Sequence, residues 1–599
     1  MTKRLKDSAE NPEARLRAAV ALAEFQKQPS DLDWDQETTQ FVAEQLVSAN
    51  PEFQPIYRKG LRSIKEKLVG ALTGLFTDKS LKETQSLSAA SSLADYAGDD
   101  PLKIADLLTE ATPEQYAILF PLIEKGITAQ AVSKLKEVAS SLPADDLGSV
   151  PRIAFGQRRA DAAVTMLKLG EKESVLPVFN WTDDPEALTQ FIFRCKPRGI
   201  PVGTLLDLLD LVSEDPMKYP KDTRYALLLS IGEYGRSEIP ASRCETLIKK
   251  LADWYANDPS SGVHGAAGWL LRQLGEKEVA EGVDQQMELY SPDREWFTLA
   301  ITVQPEEDES NVSNGKPSKK TFYFTLIIFP QGEYLIGSPE DETDRYKFIE
   351  VRHKVVLTRP FALLDREVTY DEMISFRRAP YAKRLIEGRK SLNVPCDEAN
   401  WYDSVAFCRW LGLEMGLTET DQCYPDPETL NKEEYPRDPN VTWAPENWPL
   451  DLSKRGFRLP TKSEWEIAAR SRSRTSYGFG SEVSLLDRFG WFTENSGKKV
   501  HPGREKRPSM RGMFDLHGNL FEWTHDCYAE YDDSSQTDPQ GPNAGSLRVF
   551  RGGSCYDEAA RCRSAYENCG SPSNGNYSLG FRVALSCPSG IPQSPEPDK

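Results

Sequence analysis

No single periodicity runs through the 599 residues, and that break constrains the fold more than any other feature. Up to about residue 290, apolar residues recur at three- and four-residue spacing in alanine-rich stretches: 16–25, 87–96, 162–169, 225–234 and 266–274. That spacing gives each helix one buried stripe, and the small alanines let neighbouring helices approach closely. From about residue 294 the pattern turns to short strands, turns and many Trp and Tyr. The chain is therefore expected to be multidomain, with an all-α N-terminal half followed by an α+β domain.

Within the helical half, segment 162–173 is echoed by 266–278, and Gly170 and Gly275 stand where helix C-caps are expected. The two copies are too far apart for one repeat and compatible with two or three. Residues 1–292 resemble irregular HEAT-type helix pairs, which stack to bury a shared core and offer a long surface. An ordinary helical bundle without a superhelix is the alternative.

Charge narrows the partners. With 73 Lys+Arg against 92 Asp+Glu the net charge is −19, which argues against a general nucleic-acid or anionic-membrane binder. No apolar run approaches the length of a membrane span, and residues 1–10 carry no apolar signal segment, so a cytoplasmic location is expected. Ten Cys without CxxC spacing read as thiols. Region 293–320 reads as a first strand followed by an acidic flexible linker, and the proline-rich 587–599 as a disordered tail.

In the C-terminal half, 322–329 followed by 330–338 reads as a hairpin. Thr369 with Glu372, and Thr461 with Glu464, are capping boxes opening helices. Trp401, Val405, Cys408 and Leu411 fall on one face of another helix. The ordered set Glu367-Val-Thr369, Asn400-Trp-Tyr-Asp403, Phe457-Arg-Leu-Pro-Thr461 with Glu464-Trp465, Gly518-Asn519 with Glu522-Trp523, Arg551-Gly-Gly-Ser554 and Gly580-Phe-Arg582 resembles the formylglycine-generating enzyme (sulfatase-modifying factor) domain. The resemblance covers 321–586 and implies an elaborated C-type-lectin-like α+β fold. Ahead of it, the segment from Gly262 to Arg272 is similar to the helical part of planctomycete-type signalling proteins, here without kinase motifs.

Active oxidases of that family convert a substrate cysteine with O₂ at a cysteine pair that binds Cu(I), an ion suited to soft thiolates. Here the interval after Ser554 is shorter than theirs, and its thiols, Cys555 and Cys562, stand at its edges. They read either as small buried hydrophobes or as a shifted copper pair, with Cys569 seven residues on. The resemblance also implies a structural Ca²⁺ held partly by Asn519 and Glu522, hard oxygen donors. Their alternative is a left-handed turn and an anchor for backbone amides.

Other motifs point to no chemistry. His517, His525 and His264 lack metal-site spacing and read as hydrogen-bonding or packing groups, and no GxxxxGK[ST], GxSxG or GxGxxG occurs. Trp465 and Trp491 are expected in the core. Tyr556, Asp557, Tyr566, Asn568, Asn574 and Asn576 are expected at the surface, and the lectin-like resemblance makes their stretch the ligand-facing side. The expectation is a non-catalytic protein-binding, scaffold or regulatory protein, by analogy in bacterial signalling or defence. Its protein or peptide partner would be held by the repeats or the lectin-like face. The alternative is a copper-dependent formylglycine-generating oxidase.

Overall fold

A computed structural model describes residues 1–25, 34–126, 128–144, 147–180, 182–215, 218–219, 221–303, 319–376, 391–530 and 533–586. The acidic run 306–309 and the tail 587–599 lie outside the described residues. The chain forms two compact units. One comprises Met1–Leu147, Ala154–Asn180 and Gln190–Leu208; the other comprises Gly148–Ile153, Trp181–Thr189 and Leu209–Lys599.

The first unit is helical and fits HEAT-like repeats. Helices Pro12–Phe25, Gln36–Ser48, Lys65–Thr77, Glu83–Ala97, Pro101–Leu108, Pro113–Gly126 and Ala129–Ser140 follow one another, and near neighbours pack together. Each turns a stripe inward: Leu16, Leu46, Leu72, Leu93 and Leu119 are all buried. Side-chain caps start several of them. Asp35 accepts from the Thr38 amide, Asp100 from Leu102 and Lys103, and Thr128 from Ala131.

In the second unit, helices Asp222–Ile231, Ala241–Asn257, Ser261–Gln273 and Lys277–Asp284 precede three sheets. The expected C-caps are present: Gly170 and Gly275 adopt φ of 91° and 82°. Both make the same pair of closing bonds, Gly170 N–H to Leu167 O with Glu171 N–H to Met166 O, and Gly275 N–H to Arg272 O with Glu276 N–H to Leu271 O.

The five-stranded sheet runs Trp296–Val303, Lys320–Phe329, Phe361–Leu364, Ala584–Ser586, Phe457–Arg458. The four-stranded sheet runs Glu567–Gly570, Arg548–Arg551, Phe521–Cys527, Leu579–Gly580. A three-stranded sheet joins Gly332–Ile336, His353–Leu357 and Gln536–Thr537. The expected hairpin does not form. Lys320–Phe329 has both edges occupied, by Trp296–Val303 and Phe361–Leu364. Gly332–Ile336 therefore leaves and pairs with His353–Leu357.

Both capping boxes are made: Thr369 with Glu372 opens Tyr370–Ser375, and Thr461 with Glu464 opens Lys462–Arg470. Trp401, Val405, Cys408 and Leu411 line the buried face of Trp401–Glu414. Trp465 is fully buried, whereas Trp491 is only half-buried, layered between the His501 ring at 3.7 Å and the Lys506 ammonium at 3.8 Å.

The helices of this unit interlock with the loop at 504–512. A Cβ on Gly262 would stand 2.3 Å from Met510 O, and one on Gly265 3.0 Å from Gly512 Cα, so only glycine permits that approach. Around the glycines, Arg504 pairs with Asp284, Arg511 with Glu295, and Arg507 with Glu233, while the Tyr225 hydroxyl donates to Pro508 O. His264 is buried there against Trp296, with ring centroids 3.7 Å apart.

Candidate functional site

The stretch from Arg551 to Leu579 builds a small cleft on the four-stranded sheet. Gly552 and Gly553 turn the chain with φ of 103° and 71°, and a Cβ on Gly553 would lie 2.6 Å from Cys562 Sγ. Arg551, wholly buried, steadies the return by donating from Nη1 to Ala565 O at 3.1 Å and from Nη2 to Glu567 at 3.1 Å. Arg563 anchors the same stretch to loop 338–350, with bonds of 2.7 Å to Glu342 and to both oxygens of Glu350.

The cleft encloses about 270 Å³, with Phe521, Phe550 and Leu579 as its apolar floor and Tyr556, Asp557, Arg561, Asn568, Asn576 and Tyr577 on its walls. Tyr556 and Tyr577 are 37% and 61% exposed and meet edge to face at 5.3 Å. Asp557 accepts from the Ser554 hydroxyl and from Arg561 at 3.0 Å, so the one acid and one base of the walls neutralise each other. Asn568 and Asn576 turn their side-chain oxygens back onto backbone amides of Cys569 and Ser578.

Four of the six expected surface residues thus gather in one cleft. Asn574 is exposed but does not line it. Tyr566 is buried at 5% exposure, because its ring fits between Phe521 and Tyr346, the latter at 5.1 Å. Sequence reasoning missed Tyr346 and Phe348, which are 43% and 87% exposed on the loop that Arg563 holds. No local pattern links residue 563 to that loop.

The two thiols lie behind the cleft and are sealed. Cys555 and Cys562 are both 0% exposed. Burial pushes the Cys555 thiol up to about 12, and the carboxylates of Asp397, Asp557 and Glu367 add to the shift. Burial drives Cys562 higher still, with Asp557 and Cys555 contributing. Burial thus makes the loss of either thiol proton, which copper binding would require, costlier than for an exposed cysteine. Their carbonyls are in use as well, Cys555 O accepting from Ser496 and Cys562 O from His517 Nδ1.

Asn519 and Glu522 are neighbours of a different kind from a cation site. Arg582 takes both carboxylate oxygens of Glu522, and Trp465 Nε1 adds a bond of 2.7 Å. Asn519, in the left-handed region at φ 64°, accepts the His501 amide on Oδ1 and donates to Glu367 at 3.1 Å. As placed, each side-chain oxygen of this pair already accepts a hydrogen bond. Among the described residues, no group of three or more His, Cys, Asp or Glu is arranged around a common metal position.

The histidines serve structure. His517 is buried, accepts the Gly478 amide, and is pushed down to about 4 by burial. His525 contacts the Tyr424 hydroxyl at 3.2 Å. A larger cleft of about 1150 Å³ borders helices Ser261–Gln273 and Lys277–Asp284. Its buried arginines are paired internally: Arg366 with Glu372, Arg504 with Asp365 and Asp284, and Arg507 with Glu233.

Residues 313–587 match the family described as the sulfatase-modifying factor enzyme 1-like domain. The formylglycine-generating enzyme of Streptomyces coelicolor is 36% identical over 226 residues, which is 35% of this chain and 57% of that enzyme. The chain thus spans little more than half of that relative. The formylglycine-generating enzyme of Thermomonospora curvata is 28% identical, over 43% of this chain and 92% of its own length. The serine/threonine-protein kinase pkn1 of Chlamydia pneumoniae is 36% identical over 22% of this chain and 21% of its own. Among solved structures, Treponema denticola variable protein 1 aligns over 44% of this chain and 95% of its own, with 29% identity and a TM-score of 0.37. No described helix is long and apolar enough to cross a membrane.

Proposed function

Residues 313–587 of this chain are a sulfatase-modifying factor enzyme 1-like domain, and from that premise we propose that it works as a non-catalytic protein-binding module attached to a helical scaffold. The observation that carries this reading is the pairing of an open, aromatic-walled cleft with sealed thiols. Tyr556 and Tyr577 offer large, rigid contact area beside Asn568 and Asn576, the composition that binding surfaces favour because little side-chain entropy is lost on contact. Behind it, Cys555 and Cys562 are enclosed, and their burial favours the protonated form. A regulatory role in bacterial signalling fits the shared segment with the Chlamydia kinase.

The alternative is oxidation of a protein cysteine at a copper site, favoured by the shared region with the formylglycine-generating enzymes. Copper would supply O₂ activation; binding it here requires Cys555 and Cys562 to lose their protons and open to the cleft. Calcium has less support, because Arg582 already occupies Glu522.

One experiment separates the two readings. A Cys-x-Pro-x-Arg peptide is incubated with the Cu(I)-loaded protein and O₂ and followed by mass spectrometry. No aldehyde, together with partner capture that Tyr556→Ala and Tyr577→Ala abolish, is the expected result. Aldehyde formation that Cys562→Ser removes would establish the oxidase.

A further inference from the structure

The polar walls of the cleft at Tyr556 have their acceptors in use. Asp557 has both carboxylate oxygens engaged, Oδ2 by the Ser554 hydroxyl and Oδ1 by Arg561 Nη1 at 3.0 Å, and its side chain is only 11% exposed. Asn568 Oδ1 accepts the Cys569 amide at 2.8 Å. Asn576 Oδ1 accepts the Ser578 amide at 2.9 Å and its hydroxyl at 2.6 Å. The backbone carbonyls of Ser554, Tyr556, Asp557, Asn576 and Ser578 each accept a bond as well.

The donors are not spent in the same way. An amide oxygen aimed at a backbone N–H turns its NH₂ elsewhere, and among the described residues neither asparagine's Nδ2 donates to a partner. Arg561 puts one nitrogen on Asp557 and has Tyr346 as its other polar neighbour, so the guanidinium keeps donors in hand. The hydroxyls of Tyr556 and Tyr577 can serve in either sense. Charge is arranged likewise: Arg561 is 49% exposed and Asp557 is the covered member of the pair, so an incoming group meets the cation first. Beneath these walls the apolar floor of Phe521, Phe550 and Leu579 has room for one large side chain.

Resting on the binding role given above to this cleft, we propose that the partner segment it holds is acidic: an apolar side chain seated on the floor, flanked by a carboxylate that takes hydrogen bonds from the N–H groups of Arg561 and the two asparagines. A carboxylate offers about four acceptor positions and no donor, the complement of these walls. A lysine or arginine in its place would bring donors to donors and a second cation to Arg561, which selects against basic segments. The chain's net charge of −19 repels an acidic ligand at long range, so selection for one has to come from these contacts.

The test titrates the full chain with three end-blocked peptides, Asp-Phe-Asp, Asn-Phe-Asn and Lys-Phe-Lys, at constant ionic strength, with binding read by saturation-transfer NMR. The acidic peptide should bind at least about tenfold more tightly than the basic one, with the neutral peptide between them. Arg561→Gln should bring the acidic peptide down to the neutral one. Asn568→Asp keeps the oxygen that accepts the Cys569 amide while adding an acceptor and a charge, and should favour the basic peptide. Thermal melting checks that both variants are folded, and Asn568→Asp alone decides if Arg561→Gln is not. Equal binding of the three peptides, or tightest binding of the basic one, overturns the acidic specificity; the cleft remains a binding site if Tyr577→Ala weakens all three. If no peptide binds, or Tyr577→Ala changes nothing, the binding role itself falls and this inference with it.

Discussion

Arg563 grips Glu350 with both ends of its guanidinium, Nη1 to Oε2 and Nη2 to Oε1, each at 2.7 Å, across 213 residues of chain. The two side chains are 3% and 0% exposed, so the pair is out of water. Glu342 and the Ser338 hydroxyl complete the network.

Removing only the arginine should therefore be severe. Arg563→Met leaves two buried carboxylates without their cation, a change that typically costs about 3–5 kcal/mol. Urea unfolding should show a loss of that order, while Arg563→Met combined with Glu350→Leu and Glu342→Leu recovers much of it. Equal stability of the single variant and wild type would contradict the pairing.

Two glycines separate packing from propensity. Gly262→Ala places a methyl 2.3 Å from Met510 O and should cost about 1–3 kcal/mol by overpacking. Gly282, within the helix Lys277–Asp284, has nothing within 4 Å of an added Cβ. Gly282→Ala should be neutral or stabilise by up to about 1 kcal/mol. The denaturant midpoint should fall for the Gly262 variant and should not fall for the Gly282 variant.

Stability should fall in mild acid partly through His517. Its folded-state pKa is pushed below its unfolded value, to about 4 from 6.5, because burial disfavours the imidazolium. The neutral ring's contribution is thus complete above pH 6.5 and is lost progressively as pH falls from there through about 4. The linked change is on the order of 3 kcal/mol. His517→Gln should show a flatter stability profile over that window. An unchanged slope would mean that the buried ring does not titrate.

Native thiol chemistry gives a further check. At neutral pH iodoacetamide should leave Cys555 and Cys562 unmodified in the folded protein and label both in denaturant, since reactivity follows the accessible thiolate. Peptide mass spectrometry reads this directly. Rapid native labelling of either residue would show that the site opens, favouring the oxidase reading.

What could be read from the sequence was local. Thr369 with Glu372, Thr461 with Glu464, and the glycine caps at 170 and 275 follow from contacts within a few residues, and all form as expected. Tyr556, Asp557, Asn568 and Asn576 shared a stretch and share a cleft. The failures needed distant partners. Tyr566 looked like its polar neighbours until Tyr346 and Phe521 enclosed it. The hairpin after Phe329 failed because strands from elsewhere had taken both edges of Lys320–Phe329. A distant partner also meets Glu522, whose two carboxylate oxygens are held by Arg582, 60 residues later.

The contact of Gly262 and Gly265 with loop 504–512 bears on how this chain can be cut or recombined. A break placed where the sequence pattern changes, near residue 292, would strip Glu233, Asp284 and the two glycines from the domain they serve. The severed domain would present Arg504 and Arg507 beside a bare loop backbone, a sticky and unstable surface. A piece of the C-terminal domain that keeps these contacts must therefore begin before Glu233 rather than at the change of pattern.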